Sequence, residues 1–129
     1  MCIFCSIAKK EIPSHTVYED DQVLAFLDIN PTAVGHTLVI PKEHCDSFLD
    51  CPLALRDHVF EVAQQLAKKL ETALHCDGIH LLSNMHEAAG QSVHHFHVHL
   101  IPRYKDDQEI VAFHETPNID FEDLKEKLQ

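Results

Sequence analysis

Glycine is scarce in this sequence, three in 129 residues, and no glycine-rich loop of the kind that cradles a triphosphate occurs. Basic residues are scarce too. Ten Lys and Arg stand against 21 Asp and Glu, a net charge of −11, which argues against nucleic acid or an anionic membrane as a partner held by bulk electrostatics. No apolar run approaches the roughly 20 residues of a membrane span. The opening Met1-Cys2-Ile3-Phe4-Cys5 lacks the basic region of a signal or transit peptide, so the expectation is a cytoplasmic protein. Its length suits a single domain with a real hydrophobic core. Histidine, by contrast, is abundant at 12 residues, and five cysteines is an odd number for a disulfide framework. Imidazoles and reduced thiols together point to metal chemistry, nucleophilic chemistry or both.

The apolar pattern orders the chain. Ile3, Phe4, Ile7 and Ala8 predict a short amphipathic helix within residues 3–10, stopped by Pro13-Ser14. Residues 17–18 and 23–27 flank the polar Glu19-Asp20-Asp21-Gln22 and read as a β-hairpin. Residues 37–40 form a strand halted by Pro41. A long helix follows, with Asp50 as N-cap, Pro52 in its first turn, an apolar stripe through Leu55, Val59, Val62, Leu66, Leu70 and Ala73, and Gly78 as its stop. Residues 79–82 and 95–101 supply two more strands around a polar loop, the second ended by Pro102. The expected fold is α+β, an antiparallel sheet of about five strands with one long and one short N-terminal helix. Residues 1–104 form the catalytic domain in this reading. Residues 105–129 form an acidic tail, eight acids against three lysines, ending in a short helix.

The dominant signal is His95-Phe96-His97-Val98-His99-Leu100-Ile101. Side chains alternate along a strand, so His95, His97 and His99 share one face and Phe96, Val98 and Leu100 the other, which is the buried one. Such a row can ligate a metal, or it can hold a nucleophilic imidazole with helpers. The preceding Gly90-Gln91-Ser92-Val93 and Asn84 offer neutral donors suited to phosphoryl oxygens.

The segment from Gly90 through His94 to Ile101 resembles the signature of the histidine triad (HIT) family of nucleotide hydrolases and transferases. Ile3-Phe4-Cys5-Ser6-Ile7, Glu11-Ile12-Pro13, residues 25–29 and Gly35-His36-Thr37 through Pro41-Lys42 also resemble family segments, in the family's order. The resemblance implies that His97 is the nucleophile at the α-phosphorus of a purine nucleotide. It implies that His99, Gln91 and Ser92 bind the phosphate oxygens and that His36 supports the triad from behind. Asn84 would touch the phosphate or ribose edge and Asp28 the ribose hydroxyls. Ile3, Phe4, Ile7, Phe26 and Ile29 would form the slot for the base. The implied activity is cleavage of a phosphoramidate or related bond through a nucleotidyl-histidine. A dinucleoside polyphosphate hydrolase and a zinc-binding nucleotide-sensing protein with little turnover are the alternatives. A homodimer sharing one continuous sheet is also implied.

Cys2-x-x-Cys5 fits a redox pair poorly, since no strand precedes it, and suits a structural zinc site completed by two distant imidazoles. The resemblance, to the bacterial-type members that carry zinc, implies His44 and His95 as those two. Cys45, Cys51 and Cys76 read as small buried hydrophobes, and His15, His58, His75, His80, His86 and His114 as surface residues. The tail's acids, following directly on the catalytic strand, would favour amine leaving groups over anionic ones.

Overall fold

The computed structural model describes residues 2–129. Five strands form one antiparallel sheet: β1 (Thr16–Glu19), β2 (Val23–Leu27), β3 (Thr37–Pro41), β4 (Gly78–Leu82) and β5 (Val98–Arg103), in the spatial order β1-β2-β3-β5-β4. Three helices accompany it, α1 (Ile3–Ala8), α2 (Leu53–Leu74) and α3 (Phe121–Leu128). This is the α+β architecture expected.

The interior strands β2 and β3 are apolar on both faces because both faces are covered. Val23, Ala25 and Val39, with Val98 and Leu100 of β5, pack under the α2 stripe of Leu55, Val59, Val62 and Leu66. The alternate residues Leu24, Phe26, Leu38 and Ile40 face the other way, onto Phe4 and Ile7 of α1. Cys45 and Cys51 are buried in the larger core, where burial pushes both thiols up and keeps them inert. Cys76 is buried as well.

Several boundaries differ from the sequence reading. Helix α1 ends at Ala8, and Lys10 turns the chain in a left-handed conformation well before Pro13. Asp50 caps a separate 3-10 turn, Phe48–Asp50, in a capping box with Ser47, and α2 starts only after Pro52. His75, at φ 53°, closes α2 with its N–H on the Glu71 carbonyl; Gly78 opens β4 instead. Pro41 and Pro102 lie inside their strands. Beyond Leu100 the β3 ladder has stopped, so Pro102 needs to satisfy only the β4 side. Gly35 (φ 90°) turns the β2–β3 loop against α2, where a Cβ would lie 2.5 Å from Leu74 Cδ1.

His58 is not a bare surface residue. Its Nε2 lies 2.6 Å from Asp20 Oδ2, which also accepts from Tyr18 Oη at 2.6 Å, while Asp20 Oδ1 takes the Gln22 and Val23 N–H groups. Burial opposes ionisation of Asp20, but these donors outweigh it and hold the carboxyl well below the usual range. The stabilisation is therefore complete above the ordinary Asp pKa of about 3.9 and is lost as pH falls through the lower native value. Asp20→Asn is expected to cost about 1–2 kcal/mol in denaturant unfolding at pH 7, a difference that narrows below about pH 4.

From Tyr104 to Gln129 every residue is exposed. The tail leaves β5 beside the end of α2, where Tyr104 Oη donates to the Leu74 carbonyl and Lys105 N–H to Asp77. No helix among the described residues is long and apolar enough to cross a membrane.

Candidate functional site

The ladder of β5 begins at Val98, so His95 and His97 precede the strand. Alternation survives without the ladder because loop groups hold the backbone extended: Phe96 N–H donates to the Cys45 carbonyl at 2.7 Å and Ser83 Oγ to the His97 carbonyl at 2.7 Å. Phe96, Val98 and Leu100 thus enter the α2 core, and the three histidines face α1. That face is covered as well. His95 and His97 are buried, His95 completely, and His99 is half-buried, so the row does not stand on an open surface.

Each imidazole has its tautomer set by a neighbour. His97 Nδ1–H donates to the His95 carbonyl at 2.7 Å, which leaves the Nε2 lone pair free. The Thr32 N–H donates to His36 Nδ1 at 3.0 Å, so the proton of neutral His36 is on Nε2 and is given to His99 Nδ1 at 2.9 Å. His99 is left with Nε2–H as its free donor. Burial lowers the pKa of His36 and His97, and burial with its histidine neighbours takes His99 down to about 4. At neutral pH the three rings are uncharged: a lone pair on His97, and a donor on His99 fixed by His36.

His97 and His99 line a cleft of about 370 Å³, and His36 stands behind them. Ile3, Phe4, Ile7, Phe26 and Ile29 form its apolar wall, and Asp28 and Ser92 its polar rim. Asp28 Oδ1 accepts the Asn30 N–H at 2.9 Å, an Asx-type turn, while Oδ2 is 3.7 Å from His36 Nε2. Ile12, Ser14 and Asn30 also line the cleft. As isolated loop residues they gave no signal of their own.

Gln91 and Asn84 are placed differently. Gln91 Nε2 donates to the Asp46 and Val93 carbonyls at 2.6 and 3.1 Å, and its Oε1 accepts the His86 N–H at 2.7 Å. Both amide hydrogens are committed, so this buried side chain frames the loop. Asn84 is not on the cleft wall; its carboxamide lies 3.4 Å from where a Cβ on Gly90 would be, and Gly90, at φ 95°, closes the short turn Glu87–Ala89. A second, more open depression of about 600 Å³ between residues 32–34 and 103–110 contains no histidine or cysteine. No residue beyond His99 lines the smaller cleft, so within one protomer the acidic tail does not reach it.

On the far side of His95, Cys2, Cys5, His44 and His95 bring four ligating atoms within 4.8 Å of one another. His95 Nε2–H donates to the Pro41 carbonyl at 2.8 Å and His44 Nε2 meets Asp46 Oδ1 at 2.8 Å, so both rings turn a bare Nδ1 to the thiols. The Cys2 Sγ–His95, Cys5 Sγ–His95 and Cys5 Sγ–His44 Nδ1 distances are 3.4, 3.5 and 3.3 Å. A tetrahedral ion with ordinary thiolate and imidazole bond lengths needs roughly 3.5 Å between such donors. Burial opposes ionisation of Cys2, yet the Cys5 N–H and thiol and His44 outweigh it and lower its pKa; burial and Cys2 itself raise that of Cys5. The donor set can hold one metal ion. Asp28, His36 and His99 also cluster within that distance, but the two facing ring nitrogens, His36 Nε2 and His99 Nδ1, are spent on each other.

Residues 9–106 match the family model of the HIT domain. The chain is 44% identical to a HIT-like protein of Methanocaldococcus jannaschii, over 100% of this chain and 99% of that one. It is 40% identical to the adenosine 5'-monophosphoramidase of Saccharomyces cerevisiae, over 95% of this chain and 75% of the yeast protein. Among solved structures, a HIT family protein from Bacillus anthracis superposes with a TM-score of 0.90 at 40% identity, covering 98% of this chain and 92% of that one. The chain belongs to the HIT family.

Proposed function

We propose that the protein is a nucleoside phosphoramidase acting on purine nucleotides in the cytoplasm. The observation that carries this reading is His97, whose Nδ1 is tied to a carbonyl and whose ring, with Nε2 unpaired, lines a cleft with an apolar wall. The base lies in the slot of Ile3, Phe4, Ile7, Phe26 and Ile29, and the free Asp28 oxygen accepts from ribose hydroxyls. His97 Nε2 attacks the α-phosphorus. His99 Nε2–H and Ser92 donate to the phosphoryl oxygens as charge develops. The P–N bond to the leaving group breaks as its nitrogen takes up a proton from solvent, so that the neutral amine departs and a nucleotidyl group remains on His97. Water then attacks the same phosphorus, releasing the nucleoside monophosphate and restoring the neutral ring. His36 keeps His99 in its donor tautomer, and Gln91 holds the loop that carries Ser92. Asn84, set against Gly90, supports that loop.

The yeast relative's description as a monophosphoramidase supports this choice. The test is product analysis with adenosine 5'-phosphoramidate beside a diadenosine polyphosphate. Equal release of AMP and ammonia from the first is expected. Turnover of the dinucleotide alone would assign the chain to the other hydrolase branch, and binding without turnover of either would make it a nucleotide-sensing protein.

The ion suited to two thiolates and two imidazoles is zinc, and with four protein ligands it has no open position, so its role is structural. The catalytic unit is residues 1–104, with the tail as an appendage. Two copies are proposed to pair through α2 and the β4 edge, where Leu81 is exposed on a strand with only one neighbour. Light scattering should give a dimer mass at micromolar concentration; a monomer mass removes this assembly.

A further inference from the structure

Helix α1 has six residues, too few to persist on its own, and it lies between the thiol–imidazole cluster and the cleft. Cys2 and Cys5 face the cluster while Ile3 and Ile7 line the cleft. Phe4 touches both. Its ring stands edge-on to His95 (centroids 6.0 Å apart, planes at 76°) and to His97 (5.1 Å, 86°), and packs on Phe26 at 5.6 Å. The Nδ1 hydrogen bond anchors one edge of the buried His97 ring, and the ring packs between Phe4 of α1 at 5.1 Å and His99 at 4.9 Å, so Phe4 is the contact through which α1 bears on its orientation. His95 joins the two sites from the other direction: its ring belongs to the cluster and its carbonyl holds His97.

We propose that Phe4 is a positioning residue through which occupancy of the Cys2–Cys5–His44–His95 cluster sets nucleotide affinity and the aim of the His97 ring. The inference rests on the metal and nucleotide readings above and goes beyond them, because it makes the two sites one linked equilibrium. Pinning Cys2 and Cys5 orders α1; ordered α1 seats Phe4 against His97 and completes the apolar slot. Linkage is reciprocal, so nucleotide must tighten metal by the factor by which metal tightens nucleotide.

The experiment uses the full chain made without an affinity tag, stripped by chelator or reloaded with one equivalent of zinc. AMP affinity is measured by calorimetry in both states, and zinc affinity by chelator competition with and without AMP. For the wild type an effect of about tenfold, equal in both directions, is expected. Phe4→Leu keeps an apolar side chain but loses the ring edge. It should still bind one zinc and, more weakly, AMP, with the mutual effect reduced below about twofold. The 15N shifts of the His97 ring should respond to zinc more strongly in the wild type than in the variant, where only the path through the His95 carbonyl remains, a difference that loss of slot area alone would not produce. Equal AMP affinity with and without zinc in the wild type, both ligands binding, overturns the linkage and leaves the functional reading standing. Full linkage in folded Phe4→Leu overturns the assignment to Phe4. If Phe4→Leu fails to fold, the wild-type reciprocity and ring shifts decide the proposal alone. Absence of zinc binding removes the metal reading and this proposal together, and absence of AMP binding removes the nucleotide reading and the proposal with it.

Discussion

Replacing His97 with alanine is expected to lower turnover by at least about 10⁴-fold while AMP affinity changes only a few-fold. The asymmetry follows from where the groups sit. In the proposed binding mode the nucleotide contacts come from the apolar wall, Asp28 and Ser92; Phe4 of that wall packs on the His97 ring but is also held by Phe26, whereas the proposed covalent step needs the ring itself. Single-turnover measurements with adenosine 5'-phosphoramidate check it, and retention of more than about a hundredth of the wild-type rate would leave His97 at most a general acid–base group. The pH dependence follows from the same geometry. Burial lowers the pKa of His97, and His99 titrates at about 4, so both rings are neutral through the physiological range. The rate should be flat around pH 7 and fall on the acid side below the ordinary imidazole value of about 6.5. Protonation removes the His97 lone pair and the acceptor at His99 Nδ1 that receives the His36 proton. An acid limb at or above about 6.5 would contradict neutral, desolvated imidazoles.

The second large effect concerns the N-terminal cluster. Protein made without a tag is expected to contain one zinc per chain, and a Cys2→Ser, Cys5→Ser double mutant none. An ion present at about a thousand times its dissociation constant adds roughly 4 kcal/mol to the native state. For a chain of 129 residues this corresponds to a thermal midpoint lower by roughly 10–20 °C in the double mutant. The effect is large because the cluster ties residues 2 and 5 to residues 44 and 95 and so closes long loops. Elemental analysis and calorimetry of the two proteins decide it. Less than about a tenth of an equivalent of metal in the wild type, with equal midpoints, would reduce the cysteine pair to coincidence.

Much of this molecule was readable from local pattern. The apolar runs at residues 23–27 and 37–40 marked two strands, and the spacing of Leu55, Val59, Val62 and Leu66 marked the long helix; that both faces of those strands are covered came from the packing. The alternation of His95, His97 and His99 with Phe96, Val98 and Leu100 assigned faces correctly even where no ladder forms, because extended backbone alternates with or without a partner strand. Where chain termination depended on one residue's backbone freedom, the sequence was ambiguous: His75 took the left-handed position that Gly78 suggested, and Asp50 capped a turn one step early. Only the tertiary structure decided what each site residue does with its hydrogen bonds. No pattern within the chain shows that the Gln91 amide is spent on carbonyls of residues 46 and 93, that His36 selects the tautomer of His99, or that the His95 ring faces the thiols while its carbonyl holds His97. Residue identity supplies donors and acceptors; which of them remain free for chemistry depends on partners distant in sequence, and those are chosen only when the sheet, α1 and α2 have packed.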